Sequence, residues 1–201
     1  MPRNPALRST LLPIFALLGL LLAAPSQAQP VCVTFEPPLL LGTVYGAPVG
    51  QSSGDLAFIS NGVRVHVVNF HRLPAGFAFN RAHIDMAPFG FGPGQSIRTN
   101  NIGLLFDLRA LGFNVSKVSF TFLDLGGYEN LLVNAAGVHV GELTAAPAVL
   151  GGAAVTVTST PLAPPASGKT GTVTIKASTL KTVLVGGQEL WIDSFCASGC
   201  P

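Results

Sequence analysis

Three groups of residues in this chain have the types and spacing to do chemistry. His83 and Asp85 are two apart in Arg81-Ala82-His83-Ile84-Asp85, and residues two apart on a strand share a face, which a metal site can use. No His-x-His pair or His-Glu-x-x-His run accompanies them, and His66, His71 and His139 read as surface or loop histidines. Asp124, Glu129 and Glu142 are the acids close enough in sequence to act as a general acid/base pair. Asp124 precedes Leu125-Gly126-Gly127, where an aspartate ordinarily binds local backbone. A nucleophile signature is missing: there is no Gly-x-Ser-x-Gly, and no serine or cysteine lies in a motif that implies activation by a base. Catalysis is therefore not the expected role.

The third group joins the ends of the chain. Cys32 opens it, while Cys196 and Cys200 close it. A long bridge from Cys32 to Cys196 or Cys200 would tie the first strand to the last, and the alternative is a small Cys196–Cys200 loop. Antiparallel pairing that brings Cys32 near Cys196 puts Glu36 within about one residue of Asp193. Two carboxylates so placed repel unless a cation sits between them, and Ca²⁺ takes such oxygen ligands. Glu36 and Asp193 are thus the candidate metal ligands, and the alternative is a pair of ordinary outward acids on the solvent face.

The elements that must position these groups are strands. Val31, Val33 and Phe35, then Val63, Val65 and Val67, alternate with polar neighbours. The same period of two recurs at Val118-Phe120-Phe122, Val155-Val157, Val173-Ile175 and Leu190-Ile192. Turn signals such as Asn61-Gly62, Gly126-Gly127, Gly151-Gly152 and Gly186-Gly187 separate them. Short strands at this spacing predict an all-β fold, a single antiparallel β-sandwich. Leu104–Leu111 is the one stretch that could form a helical turn, although Phe106 suits a strand equally. Phe89-Gly90-Phe91-Gly92-Pro93-Gly94 reads as a loop.

Residues 1–28 read as a cleaved signal peptide. Arg3 and Arg8 precede the apolar run Leu11–Ala24, and Ser26-Gln27-Ala28 ends it. That run is shorter than the ~20 residues a spanning helix needs. A sandwich domain over 29–201 then follows, secreted or periplasmic, where cysteines oxidise. Eleven basic residues less Arg3 and Arg8 balance nine acidic ones. With no basic cluster, nucleic acid is not an expected partner, and no second apolar run is long enough to span a membrane.

The opening Val33-Thr34-Phe35-Glu36, the closing Glu189-Leu190-Trp191-Ile192-Asp193 and the alternating strands between them resemble secreted bacterial jelly-roll domains of the carbohydrate-binding-module type. That resemblance implies a structural calcium held by an acid in the first strand and an aspartate in the last, here Glu36 and Asp193. It also implies aromatic platforms for a sugar. Trp191, Tyr45 and Tyr128 are the candidates, with Glu129 and Asn130 as polar contacts beside them. The expected function is a non-catalytic module binding an extracellular ligand, a glycan foremost. The alternative is a structural or surface-association protein that touches a partner protein through the Gly-Phe loop at 89–94.

Overall fold

The computed structural model describes residues 29–72 and 76–200; the expected signal peptide lies outside them. In chain order the first strands are β1 (Val31–Val33), β2 (Val44–Gly46), β3 (Leu56–Ser60), β4 (Val63–Val68), β5 (Phe70–His71) and β6 (Phe77–Ala78). There follow β7 (Arg81–Met86), β8 (Gln95–Asn100), β9 (Ile102–Asp107), β10 (Asn114–Asp124), β11 (Glu129–Val133) and β12 (Ala136–Gly141). The last are β13 (Val149–Leu150), β14 (Ala153–Pro161), β15 (Lys169–Lys176), β16 (Thr182–Gly187) and β17 (Leu190–Cys200). Among the described residues no helix is long and apolar enough to cross a membrane.

The strands form a sandwich of two antiparallel sheets. The larger runs β13-β14-β15-β10-β17-β8-β7-β2, with β1 also on β17; the smaller runs β12-β11-β16-β9-β4-β3. A short β5–β6 hairpin stands apart. Alternation on each strand decides what faces inward. Val118, Phe120 and Phe122 of β10 and Ile192 and Phe195 of β17 meet Val65 and Val67 of β4, Leu104 and Phe106 of β9, and Val183 and Val185 of β16 in one buried cluster. Each such side chain contributes about 1.5–3 kcal/mol of burial free energy.

Asn61-Gly62 forms the β3–β4 hairpin turn with both residues at positive φ, 49° and 84°, the geometry that matches the twist of paired strands. The helical turn considered at Leu104–Leu111 is instead strand β9 as far as Asp107, because β4 and β16 flank it on both sides and take up its backbone bonds.

The two ends lie side by side. Val31, Cys32 and Val33 pair with Ala197, Cys196 and Phe195, and Cys32 is bonded to Cys196. The long bridge is therefore the one formed. Cys200 pairs through its backbone with Asn114 at the far end of β17.

Candidate functional site

The outer face of the larger sheet carries a row of hydroxyls. Cross-strand register aligns Thr158 on β14 with Thr172 on β15, Thr172 with Thr121 on β10, and Thr121 with Asp193 on β17. Directly opposed residues share a face, so these four side chains form a line across four strands. Thr160 and Thr170 form a second pair beside it. The loop Phe91-Gly92-Pro93 rises along one side, and the result is a cleft of about 450 Å³ that also takes in Ser159 and Ser194.

A bulge in β17 makes this arrangement possible. Ser119 opposes Cys196 while Thr121 opposes Asp193, so two β17 residues, Ser194 and Phe195, stand against one on β10. Ser194 sits at φ 52°, the left-handed region that a non-glycine residue seldom enters. Without the extra residue, strict alternation would send Asp193 and Cys196 to opposite faces. With it, Phe195 enters the core while Asp193 turns toward the cleft and Cys196 toward Cys32.

Asp193 is held by the amide of Ser194, which donates to its Oδ1 at 2.6 Å. The amide of Gln95 donates to Glu36 Oε1 at 2.6 Å. The loop comes close to both carboxylates because it carries glycine there: a Cβ on Gly92 would stand 2.6 Å from Asp193 Oδ2, and one on Gly94 would overlap the Glu36 carboxylate. Burial pushes the Asp193 carboxyl above its ordinary value, and the Glu36 charge adds to the effect against the opposing Ser194 bond. A hollow of about 200 Å³ beside the disulfide is lined by both acids. Two carboxylates pressed by glycine backbone, each with one oxygen outside these bonds, fit a hard cation. Glu36 and Asp193 would hold it, although β1 ends at Val33 and Glu36 stands in the exposed bend that follows rather than in the first strand.

The other acids also converge. Asp124 at the end of β10, Glu129 at the start of β11 and Glu142 beyond β12 each bring a carboxylate oxygen within 4.8 Å of the others. Lys169 Nζ lies 3.5 Å from Asp124 Oδ2 and also contacts Glu142. Asp124 Oδ1 accepts the Gly126 amide at 2.8 Å, the local backbone bond its turn position predicts. Glu129 Oε2 accepts the Leu143 amide at 3.1 Å, whereas its Oε1 is buried without a partner. Burial, with the Asp124 charge beside it, pushes the Glu129 carboxyl up to about 8.

The aromatic and polar residues expected to bind a ligand are mostly elsewhere. Tyr45 faces the core against Phe58, at 5.4 Å between ring centroids, and Asn130 is buried where it exchanges bonds with the backbone of His71. Trp191 is 4 % exposed, beneath the Arg98 guanidinium at 4.5 Å, which removes it as a sugar platform. Glu129 is enclosed. Tyr128 is exposed in the turn before β11 but does not line the cleft. His83 and Asp85 do share a face, 3.3 Å apart, and burial still keeps the His83 imidazole below its ordinary pKa. Burial defeats the aromatic reading because a sheet side chain can be covered by its neighbours on the outer face as well as by the core. The threonine array was missed. Its signal is present in Thr156-x-Thr158-x-Thr160 and Thr170-x-Thr172-x-Thr174, where the polar half of the alternation is one residue type.

The chain matches no family model, no curated protein and no solved structure.

Proposed function

We propose that the protein is a secreted, non-catalytic β-sandwich module that binds a neutral glycan in the cleft over Thr121, Thr158 and Thr172. The hydroxyl-lined cleft is the observation that carries this reading. A threonine hydroxyl both donates and accepts, which suits a ligand built of hydroxyls and gives no preference for charge. Phe91 is half-buried at the rim and offers an apolar ring for the C–H face of a sugar. Asp193 is the carboxylate among the residues lining the cleft, and in this reading its neighbour Glu36 serves with it as a cation ligand rather than as a partner in glycoside cleavage. Calcium on Glu36 and Asp193 belongs to the same reading, as the brace that holds the loop carrying Phe91. The Cys32–Cys196 bond accords with an oxidising compartment.

A glycan array followed by calorimetry tests this. Thr172→Val weakens binding by about 3–10-fold, the worth of one hydrogen bond of about 0.5–1.5 kcal/mol. Phe91→Ala weakens it by about tenfold, and Tyr128→Ala leaves it unchanged. Failure of the array to retain any sugar overturns the glycan reading in favour of surface association through the exposed Phe89 side of the same loop.

A further inference from the structure

We propose that Asp124, Glu129 and Glu142 form a second Ca²⁺ site, at the corner where the chain leaves the larger sheet at β10 and enters the smaller one at β11. This inference does not depend on the glycan reading.

The geometry matches one ion. Calcium–oxygen distances of about 2.3–2.6 Å place ligands on opposite sides of the ion no more than about 5 Å apart, and the three carboxylates offer oxygens within 4.8 Å of one another. Their chemistry is all oxygen, which selects a hard cation over a transition metal. Calcium also tolerates the irregular ligand geometry that three separate elements provide, where Mg²⁺ demands a near-ideal octahedron.

Charge makes the same argument. Asp124 is 1 % and Glu129 0 % exposed, and buried carboxylates need compensation. Metal binding requires deprotonated ligands; with all three acids ionised, Lys169 supplies one positive charge against three negative ones, and the two left over are the number a divalent ion brings. Independently, Glu129 Oε1 is a buried oxygen with no hydrogen-bond partner, and an acceptor left so costs about 1–3 kcal/mol, more when charged. A metal bond satisfies it.

The ion has a way in. A cleft of about 380 Å³ reaches Asp124, Glu142 and Lys169, with Ser159 and Ser167 at its wall. Lys169 bridges Asp124 and Glu142 across that opening. Its ammonium rides on a flexible four-carbon stem, so it holds the place of the cation and turns to solvent when the ion enters. Lys169 is therefore a competitor of the ion.

The test is calorimetric titration of the purified, chelator-treated protein with CaCl₂, alongside melting scans with CaCl₂, MgCl₂ or EDTA. Glu142 is half exposed, so Glu142→Gln leaves the fold intact, as circular dichroism in EDTA checks. The proposal expects a Ca²⁺-binding event that Glu142→Gln weakens at least tenfold, that Lys169→Met tightens several-fold, and that Glu36→Gln leaves in place. It is overturned if calcium neither binds nor raises the melting temperature, as when Glu129 keeps a proton in place of the ion. It is equally overturned if every calcium signal disappears in Glu36→Gln, or if Glu142→Gln and Lys169→Met both titrate like the native chain.

Discussion

The rings of Phe106 and Phe195 lie stacked, 3.8 Å between centroids and 8° from parallel, and they come from opposite sheets. Phe195 is the inward residue of the β17 bulge, and the Phe120 ring lies 6.0 Å from it, 12° from parallel. The same irregularity that aims Asp193 at the cleft therefore seats an aromatic ring at the centre of the sandwich. Phe195→Ala leaves a cavity there and lowers unfolding free energy by about 3–5 kcal/mol, read by urea denaturation. Phe195→Leu costs less, because most of the volume remains.

Cys32 and Cys196 are 164 residues apart in sequence. Closing so long a loop in the unfolded chain is worth about 5 kcal/mol on the chain-entropy account. The Cys32→Ser/Cys196→Ser double variant loses stability of that order in denaturant titration. It also weakens calcium binding at Glu36 and Asp193, since β1 is then held to β17 by its ladder of backbone bonds alone.

Gly94 leaves no room for a side chain beside the Glu36 carboxylate. Gly94→Ala therefore displaces Glu36 from the Gln95 amide. The expected result is a smaller rise in melting temperature on adding CaCl₂ than in the native chain, while the response that Glu142→Gln removes is kept. An unchanged response would show that the loop does not position Glu36.

Acid destabilises this protein through two identified groups. Arg109 holds the Asp107 carboxyl below its ordinary range, chiefly through guanidinium bonds of 2.8 and 2.7 Å. A carboxyl with a lower pKa folded than unfolded contributes stability above the unfolded value of about 3.9 and loses it as pH falls through the folded one. Burial lowers His83, so the folded chain favours its neutral form. Its contribution is present above about 6.5 and lost as pH falls toward the folded value. Denaturant titrations from pH 8 to 3 show Asp107→Asn flattening the limb below about pH 4, and His83→Gln the limb just below about 6.5.

Much of the fold was legible because alternation is a local property. Val63, Val65 and Val67 have no choice but to share a face, and Asn61-Gly62 supplies the positive φ of its hairpin whatever lies around it. Asn134-Ala135 makes the β11–β12 turn with the same pair of positive φ values, 52° and 56°, but without a glycine to announce it. There the Asn134 side chain fixes the turn by accepting the Lys181 amide at 2.7 Å and donating to the Thr179 carbonyl at 2.9 Å. Those partners are remote in sequence, so no local pattern reveals them.

By itself the sequence determined which residues alternate, where the chain turns, and that the terminal segments each carry a cysteine and an acid. Only the tertiary structure decided that β17 bulges at Ser194, that Trp191 is covered by Arg98 and that Tyr45 points inward. It also decided that Asp124, Glu129 and Glu142 meet at one corner. The reason is physical: strand period and turn geometry act over a few neighbouring residues, whereas register, burial on the outer face and the meeting of charges depend on which strands the whole sandwich sets side by side.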